Sequence, residues 1–244
     1  IYQIQSKNLD VKKLTIEELE KIYVEFHQQV KENPKLDDEA RAWFKRLEEG
    51  DKKAKEIWQA CKEISLKEFD RIYNLLGIKI DNTLGESFYQ DKMQEILLEM
   101  DKKHITKKDI GGENIEVAPV AWIKDCRNTT YIEFGDRKVI VLKSDGATTY
   151  LLRDLATIKY RLKKWKPSTI VYEVGVDQAL YLEQLFEVAQ KRLGWGGEDI
   201  KLVHISHGLM RSKAGKFSTR KGDTVHLEDV LQEAIDKAKE IIDT

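Results

Sequence analysis

Residues 168–178 read STIVYEVGVDQ. The β-branched and aromatic run Ser168-Thr169-Ile170-Val171-Tyr172-Glu173-Val174 predicts an apolar strand. Before it, Leu151, Leu155, Ile158, Leu162 and Trp165 recur on one face of a helix expected over about 149–164, and Pro167 stops that helix. After it, a helix over about 178–193 is expected to bury Leu182, Leu185, Phe186, Ala189 and Leu193. Lys201-Leu202-Val203-His204-Ile205-Ser206 reads as the next strand. A final helix carries Leu227, Val230, Leu231, Ala234, Ala238 and Ile241. Strands alternating with helices predict a parallel sheet covered by helices.

That topology fixes where chemistry collects. In a parallel sheet each crossover helix runs against the strands, so helix N-termini and strand C-termini share one edge, where ligands bind in open α/β sheets. Three polar segments are expected there: the opening turn of the helix at 149–164, Gly175-Val176-Asp177-Gln178, and the loop 207–222.

Tyr150 and Asp154 are four residues apart and share a helical face. A phenol beside a carboxylate suits a guanidinium, which the carboxylate can hold by two hydrogen bonds while the ring packs on its plane. The alternative is a surface carboxylate paired with Arg153 or Lys159. Gly175 permits close backbone approach, Asp177 can accept hydrogen bonds from ribose hydroxyls, and Gln178 can donate and accept. Alternatively, Gly175 ends the strand and Asp177 caps the helix. His207 with Gly208 is expected to line a nucleotide crevice. A zinc site built on His204, His207 and His226 lacks an evident pair of further converging ligands. Lys159, Arg161, Lys163, Lys164 and Lys166 could meet RNA phosphates, but a solvated helix face is the preferred reading.

The stretch GKFSTRKGDTVHLEDVL, residues 215–231, places a glycine-flanked cationic loop between a strand and an amphipathic helix. Lysines on such a loop can close over phosphate and offset charge that grows in a transition state.

Upstream, residues 1–77 read as helices. Thr15 and Glu18 have capping-box spacing, and Leu19, Ile22, Tyr23, Phe26 and Val30 follow with a helical period. Pro34 closes that helix. A second is expected over about 37–47, broken by Gly50, and a third begins near Asp51. Ser65 and Glu68 repeat the capping-box spacing, Gly77 suits a C-terminal cap, and Ile78-Lys79-Ile80 reads as a short strand. Residues 82–145 read as small α+β material: a helix at 87–103 ending in the basic stretch 102–108, a break at Gly111-Gly112, strand-like pieces at 115–122, 129–134 and 137–142, and a hairpin tip at Phe134-Gly135-Asp136-Arg137.

The chain has 42 basic and 43 acidic residues among 244, a net charge of −1, so binding to a polyanion requires local basic patches. Cys61 and Cys126 stand far apart and form neither a zinc motif nor a disulfide framework, which points to a reducing, cytoplasmic location. There is neither an 18-residue apolar run nor a signal-peptide pattern.

Taken together, SDGATTYLLRDLA at 144–156, VGVDQ at 174–178, HGLM at 207–210 and the K-F-S-T-R-K-G run at 216–222 resemble the catalytic domain of arginyl-tRNA synthetases, class I enzymes with a "KMSKS" loop. LGESFYQDKM at 84–93 and LDDEARAWFKRLEEGD at 36–51 resemble it too. The resemblance implies an α/β fold: a partial Rossmann-like nucleotide-binding fold, with a parallel sheet and flanking helices, plus an α+β insertion and an N-terminal helical region. The expected division is a helical region at 1–81, an inserted connective segment at 82–145, and the second half of the nucleotide fold at 146–244. Tyr150, Asp154 and Gln178 would bind arginine. Gly175, Asp177, His207, Gly208 and Met210 would bind ATP. Lys216, Ser218 and Lys221 would act on the phosphates with Mg²⁺.

The family activates L-arginine with ATP and transfers it to tRNA(Arg), without a covalent enzyme intermediate. Thr219 stands where the general signature has its second lysine. The His-containing "HIGH" turn is absent, as are the tRNA- and anticodon-binding domains. Without an initiator Met as well, the sequence is expected to be an inactive middle piece of a longer, monomeric enzyme. The alternatives are a non-catalytic module that binds arginine or RNA and another class I synthetase, such as one for cysteine, against which the lack of zinc-ligand cysteines argues.

Overall fold

The computed structural model describes residues 1–102, 122–124, 129–144, 146–197, 199–208, 211–212, 215–216 and 225–242. Expected features at 103–121, with Gly111-Gly112 and most of the basic stretch, lie outside the described residues, as does Cys126. The chain divides into two compact units, one of residues Asn82–Leu209, the other of Ile1–Asp81 with Met210–Thr244.

The helical unit contains α1 (Tyr2–Ser6), α2 (Ile16–Glu32), α3 (Lys35–Glu48) and α4 (Lys52–Leu75). The capping box forms at α2: Thr15 Oγ1 accepts from the Glu18 amide at 3.3 Å, and the Glu18 carboxylate accepts from the Thr15 amide at 2.8 Å. The Asp51 carboxylate accepts from the Ala54 amide and starts α4. Gly77 ends α4 at φ +67°, where only glycine sits without strain. The amides of Gly77 and Ile78 reach back to the carbonyls of Asn74 and Tyr73, closing a Schellman turn.

Two expectations fail in this unit. The second capping box does not form, because α4 runs through it and the Ser65 hydroxyl donates instead to the Cys61 carbonyl at 2.9 Å. Residues 78–80 form no strand; Ile78 and Ile80 are exposed and gain no ladder partner.

Further along, β6 (Arg211–Ser212) and β7 (Gly215–Lys216) pair as a minimal antiparallel ribbon. After it, α8 (Leu227–Ile242) forms as its periodicity predicts, but its apolar stripe is not buried: Val230 and Leu231 are half-buried, and Leu227 and Ile241 are exposed. The Arg71 guanidinium grips both oxygens of Glu228 at 2.8 and 2.5 Å and both of Glu68 at 2.8 and 3.0 Å, tying α4 to the first turn of α8.

The second unit carries the candidate chemistry. A 3-10 segment, Glu86–Lys92, leads into α5 (Met93–Lys102), in place of one helix from 87 to 103. The strands β1 (Trp122–Lys124), β2 (Thr130–Phe134) and β3 (Arg137–Leu142) form an antiparallel sheet in that order, and Gly135 takes φ +58° at the expected hairpin tip. Next comes α6 (Tyr150–Trp165). Its N-cap residue, Thr149, donates its hydroxyl to the Ile140 and Val141 carbonyls, so the start of α6 is fastened to β3. The Lys166 turn, left-handed at φ 46°, ends the helix before Pro167.

The strands β4 (Thr169–Gly175) and β5 (Lys201–His207) pair in parallel, in register from Thr169↔Lys201 to Gly175↔His207. The crossover between them contains a 3-10 turn, Val176–Gln178, then α7 (Ala179–Glu187) and a π-helical turn, Val188–Arg192.

Leu151, Leu152, Leu155 and Ile158 of α6 pack with Ile96 and Met100 of α5, Leu185 of α7, Val188, Leu193, Ile132 and Val141. Each such side chain, when fully buried, contributes about 1.5–3 kcal/mol. Trp165, expected on this face, is 42% exposed at the end of α6. The parallel pair alternates. Ile170, Tyr172, Val174 and Leu202 belong to or pack on the core, whereas Val171, Val203 and Ile205 are exposed on the opposite face. Among the described residues of this unit, the helices pack on the Ile170, Tyr172 and Val174 face of the sheet.

Candidate functional site

Asp154 sits one turn into α6, on the face it shares with Tyr150. Neither of the two cations expected to pair with it does so. Arg153 donates from Nη1 to Glu86 Oε2 at 2.6 Å. Lys159 turns inward to Glu99 and Glu95 of α5, and Trp195 Nε1 donates to the other oxygen of Glu99 at 2.7 Å. The expected surface pairing of Asp154 with Arg153 or Lys159 is therefore not found, and Lys159 does not belong to a solvated face. The partner of Asp154 is Tyr181 of α7, whose hydroxyl donates to Oδ2. The Tyr181 ring meets the Tyr150 ring edge to face, with centroids 4.8 Å apart at 76°.

The result is a half-buried carboxylate framed by two phenols, with no ion pair among the described residues. Burial raises the pKa of Asp154 from its ordinary value. The Tyr181 hydrogen bond opposes that shift, and the nearby Glu86 charge adds to it. Burial, then the Asp154 charge, hold the Tyr181 phenol far above its ordinary value, so it remains an O–H donor. Burial pushes Tyr172, on the core face of β4, up to about 12. Tyr150 is 62% exposed, so its ring is open to a ligand.

Gly175 and His207 are register partners at the C-terminal ends of the parallel strands, and the turn Val176–Gln178 leaves from the same end. Gly175 has φ −55°, so it uses none of glycine's left-handed freedom. Asp177 lies within the 3-10 turn, and Gln178 occupies the N-cap position of α7 without a side-chain cap bond. Tyr181 follows Gln178 by three residues, in the first turn of α7. His207 Nδ1 lies 2.8 Å from Glu173 Oε1, and Gly208 is exposed beside it.

His204 Nε2 is 2.9 Å from the Val174 carbonyl oxygen, and His226 is 3.6 Å from Glu20, so each histidine has its own neighbour. No group of three His, Cys, Asp or Glu converges as a metal site among the described residues. Lys216 closes the β6–β7 ribbon through its backbone. Met210, Ser218, Thr219 and Lys221 lie outside the described residues. Tyr181 was not among the residues singled out from the sequence; its place three residues after Gln178 is the only local signal that marks it.

A parallel strand pair with polar turns gathered at its C-terminal end is the arrangement at which open α/β sheets bind ligands. The chain belongs to the family described as tRNA synthetases class I (R), catalytic domain, which matches residues 1–244. It is 42% identical over 229 residues to an arginine–tRNA ligase of Clostridium perfringens, covering 93% of this chain and 38% of that protein. It is 40% identical over 241 residues to one from Exiguobacterium sibiricum, covering 99% of this chain and 40% of that protein. The chain thus spans about 40% of the length of these relatives. The fold matches the crystal structure of an arginyl-tRNA synthetase from Plasmodium falciparum with a TM-score of 0.65 at 23% identity, over 86% of this chain and 32% of that one. It matches that of Thermus thermophilus with a TM-score of 0.62 at 15% identity, over 99% and 44%.

Proposed function

We propose that the full-length protein is an arginine–tRNA ligase and that Asp154 is the anion that selects arginine. The observation carrying this reading is the half-buried carboxylate of Asp154, which accepts from the Tyr181 hydroxyl while Arg153 pairs with Glu86 and Lys159 with Glu95 and Glu99. A planar, permanently charged guanidinium would pair directly with this carboxylate, accept the Tyr150 ring against its plane, and meet Gln178 on the adjoining turn. A neutral isostere such as citrulline would leave the carboxylate unpaired, which is how a polar site rejects a near-identical molecule.

In this reading Gly175, Asp177, His207, Gly208 and Met210 bind ATP, and Lys216, Ser218 and Lys221 attend its phosphates. The arginine carboxylate attacks the α-phosphorus, the bond to the β-phosphate breaks, and pyrophosphate leaves. A hydroxyl of the terminal tRNA ribose then attacks the arginyl carbonyl, and AMP leaves. Positioning and charge stabilisation do the work. Mg²⁺ would be held chiefly by substrate phosphates and water, and supplies positive charge there. We assign residues 1–81 to a helical region of the catalytic domain, 82–145 to an inserted segment and 146–244 to the second half of the nucleotide fold, in a cytoplasmic, monomeric enzyme. No helix among the described residues is long and apolar enough to cross a membrane.

The test is aminoacylation by the full-length protein and its Asp154→Asn variant. Removing the charge at constant shape should lower arginine affinity about tenfold or more, by the strength of a hydrogen bond to a charged group, and leave ATP affinity unchanged. Equal loss for both substrates removes Asp154 from the arginine pocket. Arginine binding with no charging of tRNA replaces the ligase with a non-catalytic arginine-binding module.

A further inference from the structure

We infer that Tyr181 is a positioning residue for Asp154, setting the orientation and the charge of the carboxylate that receives the guanidinium. The inference rests on the arginine reading above and adds a residue to it. Three observations carry it. The Tyr181 hydroxyl donates to Asp154 Oδ2, bridging α7 to α6. The Tyr181 and Tyr150 rings meet edge to face, with centroids 4.8 Å apart. Tyr181 also lies in the first turn of α7, three residues beyond its N-cap residue Gln178.

The chemistry follows from lone pairs. A carboxylate has about four acceptor sites and a guanidinium fork uses two of them. A phenol fixed on Oδ2 restricts rotation about the Cβ–Cγ bond, so the remaining sites keep one orientation. The bond also sustains the charge. Desolvation works against ionisation of Asp154, and the Glu86 carboxylate works in the same direction. Arg153 and Arg161 of the same helix favour the anion, and Tyr172 faces it from β4 as a neutral phenol. Tyr181 is the one group among these that donates a hydrogen bond to the carboxylate. Without it the anion is both free to turn and easier to protonate.

The experiment is calorimetric titration of the full-length protein with L-arginine, L-citrulline and ATP across a pH series, comparing wild type with Tyr181→Phe. The phenylalanine keeps the ring contact with Tyr150 and removes the donor. Arginine affinity is expected to fall about tenfold, and the acidic limb of arginine binding to move to higher pH, because a carboxylate without its donor takes up a proton sooner. ATP and citrulline binding should not change. Tyr181→His, which retains an N–H donor, should recover most of the loss, and Tyr181→Leu should not; this pair replaces the phenylalanine variant if that protein does not fold. An unchanged acidic limb and affinity overturn the inference, as does an equal loss of arginine and ATP, the mark of a merely structural tyrosine. A wild-type protein that binds no arginine overturns the arginine reading itself, an outcome distinct from a wild type that binds and a variant that binds equally well.

Discussion

Asp154 works against the stability of the unit that houses it. Its pKa in the folded protein is raised, first by burial, so the charged form is disfavoured by folding. For a group raised in this way, the contribution to stability is present below the unfolded pKa and lost as pH rises through the folded one. At neutral pH the ionised carboxylate is a net burden, tolerable because Tyr181 donates to it. Asp154→Asn is therefore expected to leave Tm unchanged or raise it at pH 7 while weakening arginine binding, and to show no such gain near pH 3. Scanning calorimetry at the two pH values checks this; a fall in Tm at pH 7 would mean that the carboxylate stabilises the fold.

Elements differ in how much of themselves they announce. The α2 start was legible because the Thr15–Glu18 capping box is closed by groups three residues apart. The same spelling at Ser65 and Glu68 failed because α4 had already begun at Lys52, and a serine inside a running helix bonds back to the carbonyl four residues earlier. The end of α4 was legible in Gly77, a residue that carries the left-handed turn; Gly77→Ala should cost about 1 kcal/mol, read as a lower denaturation midpoint at unchanged slope. The parallel pairing of β4 and β5 followed from strand-helix-strand order. Residues 78–80 read as a strand on composition, but a strand exists only with a partner. Tyr181 was illegible for a related reason: the contact that matters joins α7 to α6 across 27 residues, and no local spacing encodes it. Tyr150 and Asp154 were legible as a pair, while the commitment of Arg153 and Lys159 to glutamates of other segments was not.

On the scale of the whole molecule, the parallel pair carries exposed apolar side chains. Parallel sheets are ordinarily covered on both faces. Here Val171 is 49%, Val203 36% and Ile205 53% exposed on the face away from the core. The 244-residue chain is accordingly expected to bind an apolar fluorescent dye, and Ile205→Lys, which places a charge on that face, should reduce the signal without lowering Tm. Dye binding that is indifferent to Ile205→Lys would place the accessible apolar surface elsewhere, for instance along α8. The relatives are about two and a half times as long as this chain, so activity belongs to measurements on the full-length protein.

The central claim is that a guanidinium completes the charge of Asp154. It is tested most directly by a crystal structure of the full-length protein grown with L-arginine. The account predicts guanidinium nitrogens within about 3 Å of the Asp154 carboxylate, the Tyr150 ring packed against the guanidinium, and the Tyr181 hydroxyl still on Oδ2. Arginine bound elsewhere, or bound with its carboxylate toward Asp154, would contradict it.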